Sequence, residues 1–168
     1  MDIKTKAHRL PEMAYRGVKA VSFTACIERR LRPFGDSELV GRMVEVLGTS
    51  AESAKCVIPV YGFMPDHVHL LVQGVSPASR LKVAMDQFKR RSGELLAQRF
   101  PGIAWQRNYH DHIIRHSDDL SAHVAYILNN SVRAGLVEAW SEYPFSGSVG
   151  IELAEYLRDL ESDQKFGR

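Results

Sequence analysis

The sequence predicts an α+β fold in which an antiparallel β-sheet is backed by α-helices. Three observations predict it. Short apolar or alternating segments typical of strands are spread along the chain, two of them are separated only by a tight turn, and segments with helical spacing of apolar residues stand between the others. Strands joined by a tight turn run in opposite directions, so we expect a largely antiparallel sheet.

The first half of the chain predicts strands and one helix. Residues 18–26 are rich in apolar residues and predict the first strand, and a helix is expected to begin at Asp36 or Ser37. Residues 56–64 are apolar on both faces, which is typical of a buried strand. Pro59 cannot donate to a strand ladder, so this strand is expected to have a bulge or a local edge there.

The strand predicted at residues 67–73 alternates between apolar and polar side chains. Because successive side chains of a strand point to opposite faces, one face is apolar and the other carries two histidines. The two sets are Val68, Leu70 and Val72 on one face, and His67, His69, Leu71 and Gln73 on the other.

In the second half, helices are predicted at residues 77–99 and from Ser117 to about Asn130 or one turn further. A strand is predicted at 103–115 and a short C-terminal helix near 151–160. The helix from Ser117 carries two bordering stripes, an apolar one and a polar one. The apolar stripe holds Leu120, Val124, Ile127 and Leu128, and the polar stripe holds His123, Tyr126 and Asn130. A structural alternative is that the Tyr packs at the core margin and that the Asn only marks a helix end.

Length and composition fit one ordinary domain of 168 residues, with 45% hydrophobic and 25% charged residues. We expect a soluble cytoplasmic protein without a membrane partner, because no apolar run approaches the length of a membrane span and the first residues do not resemble a signal peptide. Cys26 and Cys56 stand alone, which argues against a disulfide framework.

Residues 80–115 carry eight basic and three acidic residues, a net charge of +5, whereas the chain from Glu138 onward carries a net charge of −4. This asymmetry favours a polyanion near the middle of the chain.

Two His-x-His pairs could each offer two imidazoles to one metal ion, because residues i and i+2 of a strand face the same side. We favour His67 and His69, which flank the apolar Val68. The second pair, His110 and His112, flanks an acid and is expected to be a nearby polar or nucleic-acid-facing pair. For each pair, two surface histidines without a ligand remain the structural alternative.

These residues together suggest a reaction. A tyrosine hydroxyl can cleave a phosphodiester when a divalent metal polarises a phosphate oxygen. The required set is two ligands on a rigid strand, a further ligand and a nucleophile from another element. His67, His69, Asn130 and Tyr126 supply that set.

The same residues carry a family resemblance. FMPDHVHLLV, at residues 63–72, resembles the His-hydrophobe-His motif of the single-tyrosine HUH (IS200-like) transposases. WQRNYHDHIIR and YILNNSVRAGLV, at residues 105–115 and 126–137, are similar to the branch of REP-associated tyrosine transposases. The resemblance covers about residues 15–145. One departure is Ser131, where the family usually has Pro, so the helix is expected to continue.

The resemblance implies a single domain with a ferredoxin- or RRM-like palm, which we assign to residues 1–150. Residues 151–168 are expected to form an acidic helical tail packed on it. It implies Mg²⁺ or Mn²⁺ bound by His67, His69 and Asn130. It further implies that Tyr126 attacks single-stranded DNA beside a hairpin, usually a palindromic repeat, to form a 5′-phosphotyrosine and a free 3′-hydroxyl, after which the strands are rejoined. The expected location is the bacterial cytoplasm, on the nucleoid during action.

Further residues are candidates for contacts with DNA through phosphate neutralisation or base stacking. These are Lys89, Arg90, Arg91, Trp105, Arg107, Tyr109, His112, Arg115 and Arg133. Two alternatives stay open: a domesticated protein that binds hairpins without physiological cleavage, and another HUH nuclease of the replication-initiator or relaxase kind. The oligomeric state is also open between monomer and homodimer, with the monomer favoured.

Overall fold

A computed structural model of the chain describes residues 9–166. It confirms the α+β class with five strands and four α-helices. In chain order these are β1 (Ala20–Cys26), α1 (Ser37–Ser53), β2 (Cys56–Met64), β3 (His67–Gly74), α2 (Leu81–Arg99), β4 (His110–Ile114), α3 (Ser117–Arg133), β5 (Ser146–Val149) and α4 (Leu153–Phe166). Short 3₁₀ turns lie at Glu12–Tyr15, Glu28–Arg30, Pro33–Gly35 and Trp140–Glu142. In this described part of the chain, no helix is both long and apolar enough to cross a membrane.

The sheet is antiparallel throughout, in the order β4-β1-β3-β2-β5. β2 and β3 form the expected hairpin, with Met64 paired to His67 across a tight turn. The pairing register of β2 shifts around Pro59 with both of its neighbouring strands. The shift lies between Val57 and Val60 in the pairing with β3, and between Ile58 and Tyr61 in the pairing with β5. The interruption of regular pairing expected at this proline is therefore confirmed.

Helices cover both faces of the sheet. On one face α1 and α2 enclose the larger core, which includes Phe23, Phe63 and Phe88. On the other face α3 and α4 pack over a smaller apolar cluster that contains Val60 and Leu71. The alternation expected in β3 is confirmed, because Val68, Leu70 and Val72 lie in the larger core whereas Leu71 lies in the smaller one.

Two predicted elements are shorter than expected. The helix predicted at 77–99 begins only at Leu81, because residues before it form a turn in which the Ser79 hydroxyl accepts hydrogen bonds from the backbone N–H groups of Val75 and Ser76. The strand predicted at 103–115 is reduced to β4. The first part of the predicted segment is not a strand, because Trp105 packs in the larger core, where its Nε1 donates to Ser92 Oγ.

The helix α3 carries the predicted site residues Tyr126 and Asn130. It continues through the buried Ser131 to Arg133, as expected from the absence of proline. Its apolar stripe is confirmed, with Val124, Ile127 and Leu128 buried against the sheet. α4 packs beside it through the buried Tyr156, whose hydroxyl bonds to Gln73 Oε1. The boundary between domain and tail at residue 150 stays a prediction.

Candidate active site

His67 and His69 lie side by side on the face of β3 that α3 covers. Their rings meet edge to face with centroids 4.8 Å apart. Each Nδ1 is already engaged, that of His67 with Asp66 Oδ1 at 2.6 Å and that of His69 with Thr24 Oγ1 at 2.8 Å. Each Nε2 is therefore the nitrogen left for a ligand, which is the arrangement typical of histidines that bind metals.

His69 is only 8% exposed. Burial, together with the neighbouring His67 and Arg133, lowers the pKa of His69 to about 3. Its imidazole is therefore neutral at physiological pH. Neutral imidazole is the form that coordinates a metal, since a protonated ring has no free lone pair.

Tyr126 projects from α3 beside this pair and is 52% exposed. Its ring meets the ring of His69 edge to face at a centroid distance of 5.6 Å. The guanidinium carbon of Arg133 lies 4.1 Å from the centroid of the same tyrosine ring, a cation–π contact. The structure thus brings the Tyr126 ring to His69 while about half of the tyrosine stays exposed.

Asn130 follows Tyr126 by one helical turn. Its Oδ1 accepts a hydrogen bond from Arg133 at 3.3 Å, whereas its Nδ2 is buried and has no hydrogen-bond partner in the described structure. Within residues 9–166, no group of three or more His, Cys, Asp or Glu side chains is arranged to hold a metal. A divalent cation at His67 and His69 would therefore need an oxygen from elsewhere. The Asn130 amide carries such an oxygen, Oδ1, which has a second lone pair beside the one that accepts from Arg133.

A cavity of about 430 Å³ adjoins Tyr126 between α3 and the outer part of the sheet. We call it the β1–β4 groove; it is lined by Ser22, Thr24, His69, His110, Asp111, His112, Ala122, His123 and Tyr126. His110 and His112 thus share one groove with His69, and the ring of His112 stacks on that of His123 at 5.0 Å. The alternating apolar and polar residues of β1 were the available signal for Ser22 and Thr24. Neither residue is among the site residues predicted from the sequence.

The basic side chains predicted on α2 lie across the sheet from Tyr126. Lys89 Nζ donates to the carbonyl oxygens of Gln106 and Arg107, at 2.6 and 2.9 Å. Arg90 pairs with Glu94, and Arg91 donates to Thr49 Oγ1 on α1. The structure therefore does not bring these three predicted DNA contacts together with the histidine pair.

Trp105 and Tyr109 differ from the expected base-stacking role because both are buried in the larger core. The Tyr109 hydroxyl donates to Asp86 Oδ1 at 2.6 Å, and burial raises the pKa of this phenol. Neither ring is open for stacking on a base. The other predicted contacts are exposed: Arg107, His112, Arg115 and Arg133.

Comparison with known proteins identifies relatives of this chain. The family described as "Transposase IS200 like" matches residues 20–130. A protein of Haemophilus influenzae, assigned as a REP-associated tyrosine transposase, is 36% identical over 95 residues that cover 49% of this chain and 53% of the relative. The matched region thus spans about half the length of that curated relative.

Two solved structures share the fold. That of a REP-associated tyrosine transposase bound to a REP hairpin has a TM-score of 0.70 and 22% identity, covering 85% of this chain and 82% of that one. A protein of Deinococcus radiodurans assigned as a transposase has a TM-score of 0.50 and 18% identity, covering 76% and 96%. The resemblance and the fold predicted from the sequence are confirmed. Because the family match extends from β1 to Asn130 on α3, the chain belongs to the family of IS200-like transposases.

Proposed function

We propose that the chain is a metal-dependent transposase that cleaves and rejoins single-stranded DNA beside a hairpin through a 5′-phosphotyrosine intermediate. The observation that carries the proposal is the position of Tyr126, whose half-exposed ring lies 5.6 Å from that of His69, the buried member of the histidine pair. A nucleophile and a ligand pair that come from different elements meet at one place, as such a reaction requires.

Cleavage is a transesterification at phosphorus. The Tyr126 hydroxyl gives up its proton to water as Oη forms a bond to phosphorus. The bond from phosphorus to the 3′ oxygen breaks, and the departing oxygen takes a proton from water to become a free 3′-hydroxyl. The covalent link conserves the energy of the phosphodiester, so a 3′-hydroxyl can later attack it and release Tyr126 without any nucleotide cofactor.

The residues around Tyr126 prepare this step. Arg133 lies over the phenol ring and donates to the Asn130 amide, so its positive charge stands where a phosphate would approach. Mg²⁺ or Mn²⁺ bound by His67, His69 and Asn130 would supply charge stabilisation to a non-bridging phosphate oxygen. Two imidazole nitrogens and one amide oxygen suit Mn²⁺ better than Mg²⁺, and we expect modest affinity in the absence of DNA.

The hairpin substrate is supported by a relative. A REP-associated tyrosine transposase of the same fold was solved with a REP hairpin. We extend this substrate class to the present chain and place its action on DNA in the bacterial cytoplasm. The exposed Arg107, Arg115 and Arg133 are the cations we assign to phosphate contacts.

A covalent-trapping experiment tests the proposal. Labelled single-stranded DNA hairpins from the flanks of the coding region are incubated with the full chain and Mn²⁺ or Mg²⁺ and then separated on a denaturing gel. We expect a protease-sensitive adduct that disappears with EDTA and with Tyr126→Phe. The matched control is Tyr143→Phe, which removes a hydroxyl that bonds to the Phe63 carbonyl rather than one beside His69.

The other results identify the alternatives. Tight hairpin binding without any adduct would replace the proposal with the hairpin-binding protein. An adduct that survives Tyr126→Phe would show that another residue is the nucleophile. Absence of both binding and adduct on every hairpin would show that the substrate class is wrong.

A further inference from the structure

The β1–β4 groove has no role in the chemistry described so far, although Tyr126 and His69 form part of its wall. We propose that this groove is a nucleobase subsite that takes one unpaired base of the strand whose phosphate is attacked by Tyr126. The inference rests on the proposed function, because it assumes that the phosphate lies at Tyr126. A base attached to a nucleotide beside that phosphate would reach a groove that shares the same tyrosine.

The size of the groove fits a small planar group. Its volume of about 430 Å³ lies within the range of about 300–1,000 Å³ that is usual for small-ligand sites. Within the described residues, β4 is an edge strand of the sheet and pairs with β1, so the groove lies at the edge of the sheet.

The lining favours a base over a phosphate. Among the described residues that line the groove there is no Lys or Arg to neutralise a phosphate. Asp111 borders the groove only along the backbone, because its side chain lies on the other face of β4, where its Oδ2 accepts the Tyr15 hydroxyl. The groove instead offers hydroxyls from Ser22 and Thr24 and ring nitrogens from His110. These groups can donate and accept hydrogen bonds at the edge of an unpaired base.

A flat stacking surface stands at the same place. The rings of His112 and His123 lie 5.0 Å apart with only 21° between their planes. His112 is exposed, and His123 is half-buried. Burial, followed by the nearby His112, lowers the pKa of His123, which favours the neutral ring. Nucleobases stack on such aromatic faces with little dependence on sequence.

The test is an abasic scan of the DNA. Each nucleotide of the single-stranded flank of the hairpin is replaced in turn by an abasic residue, and affinity is measured by fluorescence anisotropy in a Tyr126→Phe background so that no DNA is consumed. One abasic position is expected to weaken binding by about 5- to 150-fold, the usual worth of one stacked base. In His112→Ala or His123→Ala the same abasic replacement is expected to weaken DNA affinity by less than about 2-fold, because the surface on which the base stacks is already lost.

Two further variants sharpen the result. His123→Phe keeps a planar ring and is expected to retain the abasic penalty. His116→Ala is the matched control: His116 lies at the start of α3, outside the groove, and its removal is expected to leave the penalty unchanged. His112 is exposed, so His112→Ala keeps the test valid even where the variant at 123 fails to fold.

The outcomes separate the two proposals. The subsite is overturned, and the cleavage reaction kept, if an adduct forms on Tyr126 but no abasic position weakens binding. The same holds if an abasic position weakens binding equally in the unaltered groove and in His112→Ala and His123→Ala. A histidine-dependent penalty without any adduct supports the subsite and overturns cleavage. Absence of binding to every hairpin overturns both.

Discussion

The Thr24 hydroxyl on β1 lies 2.8 Å from Nδ1 of His69 on the neighbouring strand β3. Thr24 and His69 are directly paired in the register of these two strands, so the sheet itself fixes their contact. When Nε2 keeps its lone pair, Nδ1 carries the proton and donates it to Thr24 Oγ1. The threonine therefore fixes the orientation of the proposed ligand and can accept the Nδ1 proton in the tautomer that leaves Nε2 free for a metal.

Thr24→Val removes this acceptor at nearly constant volume. We expect affinity for Mn²⁺ to fall by about 10- to 100-fold, the usual effect of losing the outer partner of a histidine ligand. Titration of Mn²⁺ followed by its EPR signal measures this without any DNA. Thr24→Ser keeps the hydroxyl and is expected to bind Mn²⁺ like the unaltered chain. Equal affinity in the valine and serine variants would contradict the assigned role of Thr24.

Arg133→Gln separates two effects of one side chain. It frees the Asn130 amide oxygen and removes a positive charge, so affinity for Mn²⁺ without DNA is expected to rise by about 5-fold. Adduct formation is expected to slow by about 10-fold, because the tyrosine ring loses the cation that lies over it.

The matched control for Arg133→Gln is Arg91→Gln, on the other side of the sheet, which is expected to change neither quantity. A fall in affinity for Mn²⁺ in the Arg133 variant would refute the competition between Arg133 and a cation for Asn130.

Ile127→Ala tests how α3 is held on the sheet. Ile127 is 3% exposed and packs in the smaller core, beside Tyr126 in sequence. We expect the free energy of unfolding to fall by about 2–5 kcal/mol, and by about 0.5–1.5 kcal/mol for Ile127→Val. Urea denaturation measures both. The half-exposed Tyr126→Phe is the control, expected to remain within about 0.5 kcal/mol; a comparable loss there would show that the tyrosine is structural.

Asp36→Asn predicts a pH dependence of stability. The Leu39 N–H, followed by Arg99, holds the pKa of the Asp36 carboxyl below its usual value. Because the pKa of Asp36 is lower in the folded protein than in the unfolded chain, its ionised carboxylate stabilises the fold at pH values above the usual pKa. This contribution is lost as the pH falls through the lowered folded-state pKa. The unaltered chain is thus expected to be more stable than the variant at neutral pH and to converge with it in strong acid. Denaturation at several pH values, with exposed Glu45→Gln on the same helix as control, checks this; a gap that persists in acid would contradict it.

Local pattern was enough to predict the central hairpin and α3. Alternation placed His67 and His69 on one face of β3, and helical spacing placed Tyr126 beside the apolar stripe, because burial on one side dictates both patterns. β5 was not predicted. Its sequence, Ser146–Val149, has no alternation, and it is a strand because β2 offers it an edge to pair with.

The DNA contacts were predicted less well for a related reason. The charges of α2 are close to the site along the sequence, but the sheet separates them from it, and this depends on which face each helix covers. Trp105 shows the same limit, since an aromatic side chain in a polar segment fits a buried role as well as a stacking role. The stacking of His112 on His123 depends on the pairing of β4 with β1, a contact between distant parts of the chain.

The larger core and the polar side chains of the candidate active site lie on opposite faces of the sheet. The larger core lies on the side of α1 and α2, whereas the histidine pair, Tyr126 and the groove lie on the side of α3. Substitutions among those polar side chains remove little buried apolar area. Copies of such a gene can therefore lose their chemistry while still yielding folded and abundant protein. Decay of the enzyme and decay of the fold are expected to proceed at different rates across a lineage.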